Sequence, residues 1–314
     1  MTPTAPAITV LDPKKMPGPP GSTHVLASPI DFDGEPRTVG PFAIVVHAVM
    51  PATAPGALPV DADVRPHPHI GLVAITYLLD GAVTHRDSLG NRCELRAGDI
   101  GVTISGRGAV HSERFERRRL LGGGLELFQL LLAMPDGVED GEPSFFHRSA
   151  AELGSASSDG ARVTWLFPAP PALPSGMPWT TPILLADVTL EANARWSPPH
   201  APARALYVRE GELAIGDARV RAGRVALVAP GDVSVRALAP ARFLAFGGAM
   251  VGERHLWWNF IHSSLERIEA AKREWREGRT KLPDGDTESF TPCPPDDGRP
   301  LKVLNRETRA TDRR

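Results

Sequence analysis

Two short segments of the sequence each carry a pair of side chains that can bind a metal ion. Arg65-Pro-His67-Pro-His69 places two imidazoles two residues apart, and His111-Ser112-Glu113 places an imidazole and a carboxylate at the same spacing. Residues i and i+2 of an extended strand project from the same face, and the flanking prolines restrict the first segment to extended geometry. If the two strands face each other, three histidines and one carboxylate converge on one point.

This donor set predicts the chemistry of the site. Imidazole nitrogens with a carboxylate suit a divalent transition metal, iron first and manganese, nickel, copper or zinc with less specificity. Four protein ligands on one side would leave positions for water, dioxygen or a bidentate substrate, unlike a closed structural zinc site. A lone His-x-His pair is as readily explained by surface or core histidines, whereas two such pairs on separate strands favour a metal site.

Short apolar runs predict the strands that position these pairs. They lie at residues 42–49, 73–79, 101–105 and 125–133, and turn signals such as Asp80-Gly81 separate them. The 32 prolines and 30 glycines are dispersed along the chain, which is typical of an all-β protein with many tight turns. Strands at this spacing predict a sandwich or barrel.

A second β-rich block, from about residue 163 to 246, repeats the first. Tyr77-Leu-Leu-Asp-Gly81 matches Tyr207-Val-Arg-Glu-Gly211, and Arg96-Ala-Gly98 matches Arg221-Ala-Gly223, in the same order and at similar offsets. A repeat of domain length indicates a duplicated barrel, with chance matching of turn residues as the alternative. We therefore predict domains at residues 1–150 and 151–314, with the small, polar residues 151–160 as a linker.

The second copy offers no ligand set at the corresponding positions. Those positions are Ser197, Pro199, Arg236 and Leu238. His200 lies nearby but alone, which is typical of a loop or surface histidine. One metal per chain is the expectation.

After the second block the pattern becomes helical. Ser263 and Glu266 have capping-box spacing, and Gly278 is placed to end the helix. We predict a helix over about residues 263–277 that packs on a barrel, followed by an irregular, Pro-rich tail after Lys281. Trp257 and Trp258 precede it, and core or interface packing explains adjacent aromatics better than a binding surface.

Composition limits the function classes. The formal net charge is -2 with a pI of about 6.6, so no global basic field exists for direct nucleic-acid binding. The two cysteines, Cys93 and Cys293, imply no disulfide framework, which suits a reducing compartment. We see no signal-peptide pattern at the N-terminus and no apolar run long enough to span a membrane, so we expect a cytoplasmic protein.

Several motifs together resemble the pirin family. They are His67-Pro-His-Ile-Gly, Tyr77-Leu-Leu-Asp-Gly, His85-Arg-Asp-Ser-Leu-Gly, Ala97-Gly-Asp and Ser105-Gly-Arg-Gly-Ala-Val-His-Ser-Glu113. The resemblance is strong over about residues 38–145 and weaker over the second block. It returns at Glu253-Arg-His-Leu-Trp-Trp-Asn-Phe260, which is similar to a bacterial branch of pirin-like proteins.

The resemblance implies two cupin barrels in tandem, with iron, Fe(II), bound in the N-terminal barrel. The family ligands carry over to His67, His69, His111 and Glu113. Some members are similar to quercetin 2,3-dioxygenases, and others act as iron-dependent transcriptional cofactors that bind protein partners. This sequence departs from the family where Ile70 and Val73 replace an Arg and a Glu. The segment at residues 129–133 also differs, and these changes predict more apolar surroundings for the metal.

Three functions follow as hypotheses. In a dioxygenase, the metal would hold the enol oxygen of a small aromatic, flavonol-like substrate, and Glu113 would be the general base. An iron-dependent, redox-responsive regulator would instead bind a protein partner without turnover. A third possibility is a bicupin whose native substrate is not a flavonol. We favour the enzyme.

Further side chains could line the site. His85 is either a residue behind the ligands or an ordinary hairpin residue, and the second interpretation is favoured. Ser105 and Arg107 could line the turn before His111.

Overall fold

The computed structural model describes residues 7–16, 22–27, 37–167, 183–296 and 300–305. In its first half the strands are β1 (Ile8–Leu11), β2 (Lys14–Met16), β3 (Thr23–Leu26), β4 (Phe42–Thr53), β5 (Val64–His69), β6 (Leu72–Asp80), β7 (Ala82–Asp87), β8 (Arg92–Arg96), β9 (Ile100–Ile104), β10 (Ala109–Arg114), β11 (Gly123–Ala133) and β12 (Ser144–Arg148). Helix α1 (Glu116–Leu121), which the sequence analysis did not predict, follows β10.

The second half continues with strands and one longer helix. These are β13 (Gly154–Ser158), β14 (Ala161–Trp165), β15 (Ile183–Leu190), β16 (Arg195–Trp196), β17 (Ala203–Glu210), β18 (Glu212–Ile215), β19 (Ala218–Arg221), β20 (Val225–Val228), β21 (Val235–Ala237), β22 (Ala241–Gly248), β23 (Arg254–Trp257), β24 (Phe260–His262), α2 (Leu265–Arg276) and β25 (Lys302–Leu304).

The strands form two equivalent barrels, which confirms the predicted duplication. The first pairs a seven-stranded sheet, in the order β12-β9-β6-β11-β4-β3-β2, with a four-stranded sheet, β5-β10-β7-β8. The second pairs the seven strands β1-β20-β17-β22-β15-β14-β13 with the four strands β16-β21-β18-β19. The chain is thus a tandem pair of cupin barrels, and the four predicted strands correspond to β4, β6, β9 and β11.

The repeated turn at Gly81 and Gly211 has the same cause in both barrels. Their φ angles are 83° and 79°, in the left-handed region that favours glycine. A Cβ at Gly81 would lie 2.6 Å from the carbonyl oxygen of Gly124, and one at Gly211 would lie 2.2 Å from that of Pro240. The motif shared by the two blocks is therefore a turn that only glycine allows.

The two seven-stranded sheets pack against each other and share one core. Val73, Ile75 and Tyr77 of β6 are buried there with Tyr207 of β17 and Phe246 of β22. The opposite face of β6 is also buried, since Leu72 and Leu78 belong to other apolar clusters. Burial on both faces explains why this strand is a continuous apolar run rather than an alternating one.

A described segment near each end of the chain packs on the barrel formed mainly by the other half. Strand β1 pairs with β20 of the second barrel. Conversely, Leu256, Ile261 and Leu304, near the C-terminal end, pack with Leu72 of the first barrel. We retain residues 1–150 and 151–314 as a proposed division of the sequence, with these segments crossing it.

The linker predicted at residues 151–160 is wrong. Residues Gly154–Ser158 form β13, an edge strand that pairs with β14. All five residues of β13 are exposed. The strand needs no apolar side chain because its stabilisation comes from backbone pairing along one edge, so hydrophobic patterning could not identify it.

The helix predicted near residue 263 is present, but its N-cap is not Ser263. Ser264 is the N-cap, and its hydroxyl accepts a hydrogen bond from the backbone N–H of Arg267 at 3.2 Å. Ser263 is instead anchored before the helix by Glu139, which accepts from its hydroxyl at 2.5 Å and from its backbone N–H at 2.9 Å. Gly278, with φ of 67°, ends the helix as predicted.

No helix within the described residues is long and apolar enough to cross a membrane.

Candidate metal centre

Strands β5 and β10 lie side by side and bring the two predicted ligand pairs together. They are antiparallel, with His67 directly opposite His111 and His69 opposite Ala109. The register shifts between His111 and Glu113. Strand β7 flanks β10 on its other side and sets His85 opposite Glu113. The four predicted ligands and His85 thus share one face of the four-stranded sheet.

The three histidines form a compact cluster. The Nε2 atom of His111 lies 3.0 Å from Nε2 of His67 and 3.0 Å from Nε2 of His69. Among the described residues, these three side chains form a group whose ligand atoms all lie within 4.8 Å of one another. His69 and His111 are only 3% and 2% exposed, whereas His67 is half-buried, so the cluster is reached from the side of His67.

Backbone carbonyls orient two of the rings. His67 Nδ1 lies 2.9 Å from the carbonyl oxygen of Arg65, and His69 Nδ1 lies 3.2 Å from that of Asn259. Because a carbonyl oxygen can only accept, each Nδ1 is the donor, and the lone pair of a neutral ring is then on Nε2. Both lone pairs face His111.

Burial favours the neutral, metal-binding form of His69 and His111. It is the main cause that holds the pKa of His69 well below the ordinary value for histidine, followed by the neighbouring charge of His67. Burial, followed by the three neighbouring histidines, likewise lowers the pKa of His111. A neutral imidazole is the form that coordinates a divalent cation.

The residues fit a metal ion better than a closed hydrogen-bond network. Nε2 of His111 can donate at most one proton, yet it faces two nitrogens that each hold a lone pair. Two nitrogens bound to one ion at about 2.1 Å and at a right angle would be about 3.0 Å apart, which is the separation observed here. The Nδ1 atom of His111 is buried without a partner.

Glu113 lies beside the cluster, and one of its carboxylate oxygens makes no hydrogen bond. Its Oε1 is 3.7 Å from Nε2 of His111. Its Oε2 is buried and has no hydrogen-bond partner. A buried carboxylate oxygen without a partner is costly unless a proton or cation satisfies it.

His85 lies in the β7–β8 hairpin, as the favoured interpretation has it, and its ring also faces the cluster. Its ring centroid is 5.4 Å from that of His111, and it stacks on Phe145 at 4.0 Å with an interplanar angle of 6°. Its Nε2 lies 3.1 Å from Oδ2 of Asp87. Asp87 was missed, although its i+2 spacing from His85 repeats the pattern of the two ligand pairs.

Asp87 is itself firmly held. Its Oδ1 accepts hydrogen bonds from the backbone N–H groups of Leu89 and Asn91, both at 2.9 Å, and its Oδ2 accepts one from the Asn91 side chain at 2.8 Å. Burial by itself would raise the pKa of Asp87, but the hydrogen bonds from His85 and Asn91 hold it below its usual range. The hairpin thereby fixes the His85 ring beside the cluster.

Ser105 and Arg107 have structural roles. The Ser105 hydroxyl donates to the carbonyl oxygen of Leu72 at 2.6 Å and accepts from its N–H at 3.0 Å, which joins the ends of β6 and β9. Arg107 is exposed and pairs with Glu142.

The prediction that Ile70 and Val73 surround the metal ligands is wrong. Val73 is buried in the core between the barrels. Ile70 packs with Trp257 and Phe260, which also confirms the prediction that Trp257 belongs to a packed core. Val73 faces away from the four-stranded sheet because alternate residues of β6 point to opposite faces, and the sequence did not show which face was which.

In the second barrel, residues at and near the positions that correspond to the ligands of the first barrel make different contacts. Arg236 pairs in register with Arg195. His200 is exposed and lies 3.0 Å from Asp232.

A segment near the C-terminal end covers the outer face of the ligand strands. Asp286 accepts hydrogen bonds from the Ser112 hydroxyl at 2.5 Å and from Arg114 Nε at 2.8 Å, and both groups lie on the back of β10. The backbone N–H of Thr291 donates to the carbonyl oxygen of Pro66 on β5 at 2.8 Å. The ligand strands are therefore held from behind by Asp286 and along the edge of the sheet by Thr291, both over 170 positions away in sequence.

Comparison with known proteins places this architecture in a family. Residues 25–132 match the family described as Pirin, and residues 185–281 match the Pirin C-terminal cupin domain. A pirin-like protein of Caulobacter vibrioides is 38% identical over 261 residues, which cover 82% of this chain and 90% of that protein.

Two further similarities concern proteins with an enzyme name. A Pseudomonas aeruginosa protein named provisionally as a quercetin 2,3-dioxygenase is 31% identical, over 78% of this chain and 77% of that protein. The crystal structure of quercetin 2,3-dioxygenase from Acinetobacter baumannii has the same fold, with a TM-score of 0.77 and 22% identity, over 92% of this chain and 96% of that one. The paired barrels, the three-histidine cluster and the match over most of a pirin-like relative show that this chain belongs to the pirin family.

Proposed function

We propose that this protein is a metal-dependent dioxygenase of the quercetinase type, with one Fe(II) held by His67, His69, His111 and Glu113. The observation that carries the proposal is the convergence of three imidazole Nε2 atoms, in which Nε2 of His111 lies 3.0 Å from that of His67 and 3.0 Å from that of His69. Manganese, nickel, copper and zinc are the competing metals for a nitrogen and oxygen donor set.

Support for Glu113 as the fourth ligand and general base comes from its position and its unsatisfied oxygen. It shares the inward face of β10 with His111, and its Oε2 is buried without a partner. One carboxylate oxygen could therefore face the metal while the other accepts a proton from a substrate hydroxyl.

When bound, the metal supplies Lewis-acid polarisation of an enol oxygen and a place for dioxygen. The protein's own residues exclude water, leave one side open to the substrate and form a wall of the site. His69 and His111 are buried and exclude water from the inner side. The half-buried His67 marks the side from which a substrate enters. His85, fixed by Asp87 and Phe145, forms a wall next to Glu113.

The substrate class we propose is a small aromatic compound with an enol hydroxyl, such as a flavonol. The support is the enzyme name of the relative and of the structural neighbour described above, together with a base and a ligand cluster open on one side. Ring cleavage of a flavonol would consume dioxygen and release carbon monoxide in equal amounts.

The test begins with anaerobic reconstitution using Fe(II). Oxygen uptake and carbon monoxide release are then measured with quercetin, for the wild type and for His67→Ala, Glu113→Gln and His200→Ala. His200, exposed in the second barrel, is the matched histidine control. We expect His67→Ala to abolish turnover, Glu113→Gln to reduce turnover more than substrate binding, and His200→Ala to leave both unchanged.

Two outcomes would count against the proposal. Iron binding without oxygen consumption would contradict the proposed dioxygenase activity. A fully active Glu113→Gln variant would contradict the proposed role of Glu113 as general base. Reconstitution with each competing metal, followed by measurement of metal content, tests the choice of iron.

A further inference from the structure

The ring of His69 is oriented from outside the first barrel. The carbonyl oxygen that accepts from its Nδ1 belongs to Asn259, 190 residues further along the chain. His67 differs, because its Nδ1 partner is the carbonyl of Arg65 on the same strand. Partners of this kind fix the tautomer and direction of a metal-binding imidazole, and losing one typically weakens metal binding about 10–100-fold.

Asn259 is part of a tight turn with unusual backbone geometry. Strands β23 and β24 pair Trp257 with Phe260, so Trp258 and Asn259 alone connect them. Trp258 has φ of 53°, in the left-handed region. A bulky side chain is uncommon in this region and persists only where surrounding contacts enforce it.

Packing next to the ligand strand enforces the turn. The Trp258 ring lies 5.7 Å from Phe260 and 6.1 Å from Trp257, in edge-on contacts. The backbone N–H of Ile261 donates to the carbonyl oxygen of Ile70 at 3.2 Å, directly after His69. The turn is thus docked on the residue that follows the metal ligand.

We propose that the Trp258–Asn259 turn is a positioning element of the metal centre, in which the left-handed backbone at Trp258 aims the Asn259 carbonyl at His69 Nδ1. The inference rests on the metal binding proposed above. Trp258 acts through the backbone and touches neither metal nor substrate.

Two substitutions separate the backbone conformation from the ring. Trp258→Asn removes the indole but tolerates the left-handed region, whereas Trp258→Pro removes the indole and fixes φ near −65°. Trp258→Val, which resists positive φ and keeps the backbone N–H, replaces the proline variant if that variant does not fold. Circular dichroism verifies the fold of each.

The first readout needs no metal. In metal-free full-length protein, nitrogen-15 NMR of the imidazoles reports the tautomer of His69. We expect Nδ1–H in the wild type and Trp258→Asn, and a mixture of tautomers in Trp258→Pro. The same tautomer in all three proteins would overturn the inference.

The second readout is Co(II) binding by competition with a chromophoric chelator, together with the visible spectrum of the complex. We expect Trp258→Pro to weaken binding by tenfold or more, in line with lost orienting partners, and to change the spectrum, while Trp258→Asn stays close to the wild type. Equal affinities and spectra for both variants would overturn the inference and leave the metal site standing. A wild type that binds no Co(II) and no Fe(II) would instead overturn the proposed function, and the positioning role with it.

Discussion

The Tyr77 hydroxyl donates a hydrogen bond to Oδ2 of Asp187 at 2.9 Å and so joins the two barrels. A second contact mirrors it, because the Tyr207 hydroxyl lies 3.0 Å from Nδ1 of His47. Tyr77 and His47 are both partners of Phe128 in the first barrel, just as Tyr207 and Asp187 are both partners of Leu244 in the second. The duplicated tyrosines thus reach across the interface to equivalent positions.

Tyr77→Phe should destabilise the protein by about 1–3 kcal/mol, because it leaves a largely buried carboxylate without its hydroxyl donor. The other oxygen, Oδ1 of Asp187, already lacks a partner. Urea unfolding of Tyr77→Phe, Asp187→Ala and the double variant would measure the coupling, because alanine removes the acceptor. Strictly additive effects would show that the hydrogen bond contributes nothing.

Asp187→Asn should stabilise the protein near neutral pH. Burial raises the pKa of Asp187 above its ordinary value of 3.8, so ionising this group costs more in the folded than in the unfolded protein. That cost is absent at pH values below the pKa of Asp187 in the unfolded protein. It is complete at pH values above the pKa of Asp187 in the folded protein. The advantage of the amide should therefore shrink as the pH falls towards 3.8, which unfolding curves at several pH values would measure. An unchanged difference between the two proteins would contradict this explanation.

Glu126→Gln should destabilise the protein near neutral pH, an effect of opposite sign to that of Asp187→Asn. The hydrogen bond from His47 holds the pKa of Glu126 below its usual value of 4.5, with burial opposing and Arg209 assisting. The ionised carboxylate thus stabilises the fold above the unfolded pKa, and this stabilisation is lost as the pH falls through the folded pKa. Melting temperatures should differ most near neutral pH and converge in acid. Glu210→Gln, at a more exposed acid, is the control and should change little.

Gly71→Ala should destabilise the protein and lower its metal content. Gly71 connects β5 to β6 with φ of 62°, and a Cβ there would lie 2.0 Å from the carbonyl oxygen of Ile261. Gly223→Ala is the matched control, because its φ is 81° but nothing lies within 4 Å of its Cβ position. The control should lose about 1–2 kcal/mol from backbone strain alone, and Gly71→Ala should lose more. Equal losses in chemical denaturation would mean that the close approach is unimportant.

Asp286→Ala should cost about 3–5 kcal/mol, the usual effect of breaking a buried ion pair. Asp286 is 8% exposed and accepts from Ser112 and Arg114 on the back of β10. Asp284→Ala is the control, since Asp284 is largely exposed and lies 3.8 Å from Lys281. Chemical denaturation gives the stability, and limited proteolysis shows whether the segment is released. Equal protease resistance in both variants would show that Asp286 does not hold it.

Local features of the sequence were enough to predict much of the fold. The i, i+2 spacing of His67 and His69 defines one face of a strand wherever that strand lies, and a turn motif ending in glycine repeats because each copy meets the same steric limit. The same reasoning predicted the helix after residue 263 and its end at Gly278. Each of these depends on residues a few positions apart.

The tertiary structure alone decided the contacts between distant parts of the chain. These include the hydrogen bond between the Asn259 carbonyl and His69, the hydrogen bond between Ser112 on the back of β10 and the Asp286 carboxylate, and the pairing of β1 with β20 of the second barrel. It also decided that Ser264 rather than Ser263 caps α2, because Glu139 binds both the backbone N–H and the hydroxyl of Ser263 and anchors that residue before the helix. Side-chain periodicity determines which residues share a face of a strand, but which element covers that face depends on packing between segments that are far apart in sequence.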